Sequence, residues 1–388
     1  MGVLFLAWRH VSHRAGRSAI LVACIGVALA LPIASRVLVA RFNHALHERA
    51  STAPVVVGAK GSRFDLVFAS LYFRPGRAGT MSLGAFEALS QRPGIEALPV
   101  HVRFTARGAP VVATGIEYLQ RRGLRVAHGA SFATLGEAVV GAKAAQRLGL
   151  APGDTIGTDQ VEAYGLTAPA SIRLRVAGVL APSGSVDDEA IFVDLETAWL
   201  LEGIAHGHQE ATTIDRPDLL IGKTEEHVAL SGAVVTEQDV TDADPSSFHI
   251  HADRADLPIT GALVYPDSEK TSTIVRTAIN ATPDLQAVEP AAVIDELMAF
   301  VVRVRLVFDA LAGVMGLSTI ALVGLISLLS YRVREEEIRT LTEIGSARWA
   351  VARLFGAELG LILALGVALA LSLVWLGVWL VSSMTGLV

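Results

Sequence analysis

Three long stretches of the chain are apolar almost without interruption, and the longest segment between them alternates apolar and polar positions instead. The first, "SAILVACIGVALALPIASRVLVA" from Ser18 to Ala40, is close to the roughly 20 residues a helix needs to cross a bilayer. Pro32 and Arg36 stand near its far end, where a kink is tolerated and an arginine reaches headgroups or a neighbouring helix. The second, "ALAGVMGLSTIALVGLISLLS" from Ala310 to Ser330, carries no charge. The third runs from Leu354 to Val381, opens near Glu358 and places Trp375 and Trp379 near its end, where an interfacial aromatic belt would put them. Glycine and alanine recur in all three, as they do where spanning helices approach closely.

Between the first two runs the period changes. "APVVVGA" (Ala53 to Ala59), "APVVATGI" (Ala109 to Ile116), "SIRLRVAGVL" (Ser171 to Leu180) and "AIFVDL" (Ala190 to Leu195) have the valine and isoleucine enrichment of strands. "GTMSLGAFEALSQRPG" and "GEAVVGAKAAQRLGLAPGD" each read as a helix closed by a turn. This predicts an α+β domain with two lobes. Residues 225–256 turn polar and acidic and read as a long surface loop. "PAAVIDELMAFVVRVRLVFDALAG" then returns with helical periodicity continuous with the second run, which predicts a stalk.

Basic residues set an orientation. Arg9, Arg14 and Arg17 precede the first run with no acidic neighbour, and Arg332, Arg334, Arg339, Arg348 and Arg353 lie between the second and third. Both segments are therefore expected in the cytoplasm. The fold class that follows is a polytopic α-helical membrane protein with three spans, an inside N-terminus and a large α+β extracytoplasmic domain inserted between spans 1 and 2. The expected division is a cytoplasmic amphipathic segment (1–17), span 1 (18–41), the extracytoplasmic domain (42–299) and the stalk with span 2 (300–331). A cytoplasmic coupling segment (332–352), span 3 (353–382) and an external C-terminus (383–388) complete it.

Composition agrees: 52% hydrophobic and 18% charged residues are too apolar for an ordinary soluble enzyme, yet too charged for a bare helical bundle. The net charge of −6 and the absence of a basic stripe with interleaved aromatics exclude nucleic-acid binding. Cys24 is the only cysteine, so no disulfide or cysteine-rich metal site can form within one chain. No phosphate loop, G-x-S-x-G or H-E-x-x-H motif is present, and "GAKGSR" (Gly58 to Arg63) lacks the full phosphate-loop spacing. Neither an enzyme nor an ATPase is written in this chain.

Three segments carry candidate chemistry. "HGH" supplies His206 and His208, and "HIH" supplies His249 and His251, with carboxylates nearby. Alternate residues of a strand face one side, so H-x-H can offer two imidazoles to a metal such as zinc; a solvated polar loop explains the same residues. "YRVREEEIRTLTEIGSARWAVARLFGAELG" (Tyr331 to Gly360) places Ile338, Leu341 and Ile344 three residues apart among charges, and Gly345 and Ser346 then break the helix. Helix, glycine turn and helix at a membrane surface form a docking element with an apolar stripe for a partner's groove.

Taken together these motifs resemble the FtsX/MacB-type ABC transporter permease family, along nearly the whole chain. The family's cytoplasmic segment reads roughly R-E-I-G-x-L-R-A-x-G-A-S, and Glu337, Ile338, Leu341, Gly345 and Ser346 stand in that pattern. Arg339 replaces its usual glycine and Thr342 its usual arginine. "GEAVVGAKAAQRLGLAPGDTI" and "LRVAGVLAPSGSVDDEAIFVDLETA" resemble its external motifs. The resemblance implies a MacB-like periplasmic domain and a homodimer of permeases in the bacterial inner membrane. It also implies two cytoplasmic ATPase subunits, which bind ATP and magnesium, docked on Glu337, Ile338, Leu341, Ile344, Gly345 and Ser346. ATP-driven motion of the external domain, or mechanotransmission, would then extrude or handle a cargo, with a periplasmic cargo-binding protein as a further partner. An FtsX-like role activating a periplasmic partner without transport is the alternative. A zinc-linked system is another, from the similarity of "HGH" after "TAWLLEGI" and of "YFRPGRAG" to permeases encoded beside zinc-regulated periplasmic proteins. Family members usually add a fourth span, whereas three are expected here.

Overall fold

The computed structural model describes residues 2–13, 15–76, 78–159, 171–207, 220–223, 228–230, 237–239, 248–250, 253–333, 339 and 348–385. In chain order the helices are α1 (Gly2–His13), α2 (Ala15–Ala50), α3 (Arg63–Tyr72), α4 (Leu83–Ser90) and α5 (Ile116–Arg121). They continue with α6 (Ala142–Leu148), α7 (Leu195–Leu201), α8 (Glu269–Asn280), α9 (Pro290–Val333) and α10 (Arg348–Thr385). The strands begin with β1 (Val55–Ala59), β2 (Met81–Ser82), β3 (Ile95–Ala106), β4 (Ala109–Thr114), β5 (Val126–Gly129) and β6 (Glu137–Val140). Then come β7 (Thr155–Gly157), β8 (Ser171–Leu180), β9 (Ile191–Val193), β10 (Ala205–Gly207), β11 (Leu220–Lys223) and β12 (Val228–Leu230). The last are β13 (Glu237–Asp239), β14 (Phe248–Ile250), β15 (Pro258–Ile259), β16 (Gly261–Pro266) and β17 (Leu285–Val288).

These elements form two units, Met1–Leu46 with Asp295–Val388, and His47–Ile294. In the first, α2, α9 and α10 are the helices long and apolar enough to cross a membrane. Here α2 and α10 meet through small residues. A Cβ on Gly26 would lie 2.7 Å from Leu369, and one on Gly366 would lie 2.6 Å from Ile25. Val11 of α1 is buried with Leu21, Ile25 and Ile362, and the Arg17 guanidinium pairs with Glu358 at 2.9 Å. Arg36, flagged above for its place near the end of an apolar run, pairs with Asp309 at 3.5 Å; Arg305 meets the same carboxylate at 3.4 Å. Burying a charge in an apolar helix is costly unless it finds an opposite partner, and α9 supplies one.

The second unit is built on one mixed sheet in the order β13-β8-β6-β9-β4-β3-β16-β1-β17, with β5 and β7 also paired to β8. Both of its faces are covered, which is why its central strands are apolar at successive positions instead of alternating. Along β1, Val56 enters one core with Val112, Phe192 and Leu263, while Val55 and Val57 enter another with Trp199, Ile259 and Ile279. A third core under β6 and β9 gathers Val111, Val140, Leu174, Ile191 and Leu200. Side-chain caps fix where helices start: Ser62 accepts from Asp65 N–H, Asp194 from Thr197 N–H and Ser268 from Thr271 N–H.

The strands expected from the pattern are present as β1, β4, β8 and β9. Three expectations are corrected. "GEAVVGAKAAQRLGL" is not a helix throughout: Glu137–Val140 form β6, and only Ala142–Leu148 are helical. Gly141 separates them, since a four-residue apolar strand has too few positions to show a period. Residues 225–256 are not one long loop among the described residues, because β12, β13 and β14 lie in that stretch and β13 extends the main sheet beside β8. The two expected lobes share that one sheet, carried across by the 12-residue β3. α9 runs as one helix from Pro290 through the second apolar run, the continuity read above as a stalk, and α2 continues past Ala40 to Ala50.

Candidate functional site

The end of α2 carries a buried, heavily partnered side chain of the second unit. Arg49 sits in its last turn and is buried, with its side chain only 5% exposed. Its guanidinium grips the Asp187 carboxylate with both ends, Nη1 to Oδ2 at 2.7 Å and Nη2 to Oδ1 at 3.0 Å. Nε donates to the Leu71 carbonyl at 2.7 Å, and Nη2 also donates to the Tyr118 hydroxyl at 3.0 Å. Tyr118 donates in turn to Asp187 at 2.6 Å, and Arg122 donates to the same carboxylate at 3.1 Å. The guanidinium plane stacks on Phe73, 5.2 Å from the ring centre. Each piece is positioned locally. Phe73 is the left-handed cap that closes α3, Tyr118 and Arg122 come from α5 and its end, and Asp187 opens the short 3-10 helix Val186–Glu189.

A bidentate arginine–carboxylate pair is the strongest and most direction-specific of ion pairs. Here it ties the end of a long apolar helix to a loop far away in sequence. Burial by itself would push the Asp187 carboxyl up, but the Arg49 guanidinium, its hydrogen bonds and Arg122 hold it far below the usual carboxylate range. Burial pushes the Tyr118 hydroxyl up, so it stays protonated as the donor. Because the folded-state pKa of Asp187 lies below the ordinary 3.8, its stabilisation is whole above that value and is lost as pH falls through the lower folded value. Unfolding of the full chain in detergent is therefore expected to become easier below about pH 4, and Asp187→Asn to flatten that dependence. An identical acid dependence in the variant would refute the assignment.

The glycine and aspartate motifs are the frame of this site. A Cβ on Gly141 would lie 2.4 Å from the Asp187 carbonyl, so β6 can turn into α6 only by passing directly against the 3-10 helix. Gly141 N–H donates to Ala190 C=O across the same contact. Asp188 accepts from Ser183 and Gly184 N–H and shapes the loop ahead of Asp187. In "LAPGDTI", Gly153 N–H donates to Val176 C=O and Val176 N–H to Asp154 C=O, which locks the turn to β8.

Sequence reasoning missed Arg49 and Tyr118 and gave Asp187 no role of its own. Arg49 sits past the end of the apolar run, like any interfacial arginine, and its partner lies 138 positions away. Of the histidines, His206 falls in β10 and His249 in β14, and these strands pair antiparallel with the two residues in register. His208 and His251 lie outside the described residues, as do Glu337, Ile338, Leu341, Ile344, Gly345 and Ser346. Among the described residues no group of three or more His, Cys, Asp or Glu side chains gathers as a metal site.

The fold and site thus define a class: among the described residues, three helices long and apolar enough to cross a membrane, and an α+β unit with a buried arginine–aspartate network in its core. The family model of the MacB-like periplasmic core domain matches residues 18–244, more than half the chain. The chain therefore belongs to the FtsX/MacB-type ABC transporter permease family. Among solved structures it is similar to the periplasmic region of MacB from Actinobacillus actinomycetemcomitans, at 11% identity and a TM-score of 0.36, covering 65% of this chain and 97% of that one. It is also similar to the extracellular domain of the noncanonic ABC-type transporter YknZ from Gram-positive bacteria, at 11% identity and a TM-score of 0.32, covering 60% and 98%. No curated protein matches the chain.

Proposed function

We propose that this chain is the membrane subunit of an ABC complex that converts ATP hydrolysis by a cytoplasmic partner into motion of its α+β unit on the periplasmic side of the inner membrane. The moving unit extrudes or handles a periplasmic cargo. The observation that carries this reading is the unbroken run of α2 to Ala50 together with the buried grip of Asp187 on Arg49. At 1.5 Å per residue, the 36 residues of α2 and 44 of α9 make helices of about 54 and 66 Å. A hydrocarbon core is about 30 Å thick, so each helix outruns it by several turns. A helix transmits displacement along its axis without absorbing it in loop dihedrals, and a bidentate buried pair transmits direction as well as force.

Orientation rests on Arg9 and Arg17, ahead of the first apolar run, and on Arg332 and Arg348 at the two ends of the segment that joins the second and third runs; this basic excess supports a cytoplasmic side for both. The apolar window of α9 is uncovered in this chain, and Gly313, Gly316 and Gly324 have nothing within 4 Å of where a Cβ would sit. This supports a second permease copy as the partner of α9, since small residues admit close helix approach. The segment holding Glu337, Ile338 and Leu341 is the docking element for the ATPase.

Replacing Ile338 and Leu341 together by aspartate is expected to abolish co-purification of the ATPase while the chain remains in the membrane fraction. Unchanged co-purification would exclude this segment as the point where energy enters.

A further inference from the structure

Between α2 and α9, with α10 contributing to its wall, lies an apolar groove of about 600 Å³. Leu29 and Ile33 line it from α2, Gly313, Gly316 and Ile320 from α9, and Leu363 from α10. It stays open because nothing stands within 4 Å of where a Cβ on Gly313 or Gly316 would sit. Asp309 meets Arg36 at one end, while Val323 packs on the cluster of Leu21 and Ile25 at the other. From Asp309 to Val323 the groove is about 21 Å long at 1.5 Å per residue. Its volume over that length gives a cross-section of about 30 Å², against roughly 80–110 Å² for a helix 10–12 Å in diameter. It takes in a single hydrocarbon chain and is too narrow to take in a helix.

The Arg36 end lies where charge begins. Ala310 to Ser330 carry none, and Asp309 immediately precedes them. Arg36 and Arg305 share that one carboxylate at 3.5 and 3.4 Å. Arg41 on α2 and Arg303 on α9 add two more cations, with no further acid in residues 36–41 or 303–309. The Arg36 side chain is 61% exposed, so its donors are within reach of a second anion. We infer that the groove seats one anionic phospholipid, with an acyl chain along Gly313 and Gly316 and the phosphate at Arg36. A guanidinium fork matches a phosphate, and the positive surplus favours a lipid with net negative charge. One leaflet is about half of the roughly 30 Å hydrocarbon core, so the groove is long enough for a chain of that leaflet. The chain supplies close contacts where the side chains of α2 and α9 leave a gap. Gly324 lies outside the groove, and its face of α9 remains for the second copy proposed above. The lipid seat depends neither on that copy nor on ATPase docking, so each reading can fail alone.

The test is native mass spectrometry of the delipidated full chain in detergent, titrated with dipalmitoyl phosphatidylglycerol and, as the neutral comparison, dipalmitoyl phosphatidylcholine. Wild-type protein is expected to retain one phosphatidylglycerol per chain and to prefer it over phosphatidylcholine about fivefold, the effect of one arginine near a headgroup. Arg36→Gln is expected to abolish that preference, and Arg36→Lys to keep it. Gly316→Leu, which fills the groove, is expected to lower retention of both lipids roughly tenfold. Gly324→Leu, outside the groove, is the control and is expected to leave retention unchanged. Unfolding midpoints matching wild type exclude misfolding as the cause, and Gly313→Leu is read instead where Gly316→Leu fails that check. No retained lipid, or equal retention of the two lipids by wild-type protein, overturns the inference. Gly316→Leu that weakens self-association but leaves the lipid bound overturns it as well, since a second copy of the chain would then fill the groove.

Discussion

Arg49→Met is expected to destabilise the α+β unit by about 3–5 kcal/mol, the usual loss when one partner of a buried ion pair is removed. Methionine keeps much of the apolar stem, so the change removes the charge, its hydrogen bonds and its contact over the Phe73 ring more than volume. Asp187, whose side chain is fully buried, is left with Arg122 as its cationic partner among the described residues. The Leu71 carbonyl and the Tyr118 hydroxyl each lose a donor at the same time. Adding Asp187→Asn to Arg49→Met is expected to recover part of the loss, because the orphaned charge disappears. Unfolding midpoints of the full chain in detergent measure both. A loss under about 1 kcal/mol, typical of an exposed pair, would show that the network does not hold the end of α2. The same variant separates packing from coupling: if α2 is the lever, it lowers the work done by the complex more than it lowers ATP binding by the partner.

Gly129→Val is expected to be nearly as damaging and for a different reason. Gly129 and Gly178 face each other in the β5–β8 pair. Gly129 has φ +80°, and a Cβ there would stand 2.2 Å from the Ala177 carbonyl oxygen. Left-handed backbone costs a non-glycine residue roughly 1–2 kcal/mol, and forced overpacking adds about 1–3 kcal/mol. The opposing atoms are backbone, so no side chain can swing away to make room. Gly178→Val meets the Ala130 carbonyl at the same 2.2 Å but carries no left-handed backbone term, so it is expected to be the milder of the two. Thermal unfolding of the two variants side by side checks the ordering, and equal midpoints would mean that backbone conformation contributes nothing at Gly129.

Several features are legible in the chain because their cause is local. An apolar run of twenty residues reads as a spanning helix whatever surrounds it, and α2, α9 and α10 appear where the pattern puts them. "VVVGA" and "VVAT" read as strands because branched side chains at successive positions suit a sheet covered on both faces. The motif glycines were visible as motif, although not as geometry. Gly141 matters through its approach to Asp187, and nothing in its neighbours in sequence says so. The short strands β10, β12, β13 and β14 escaped because three residues have no measurable period, and their polar surroundings read as loop.

By itself, then, the sequence determined that the chain has three helices long and apolar enough to cross a membrane, that it carries an α+β domain and which family motifs it holds. All of these follow from period and composition over short windows. Only the tertiary structure decided that Arg49 is a buried anchor and not an interfacial arginine, and that His206 stands opposite His249. Both depend on pairings made across long stretches of chain, 138 positions apart for Arg49 and Asp187. A charge is anchored or exposed according to the partner that the folded chain brings to it, and no window of neighbouring residues contains that partner.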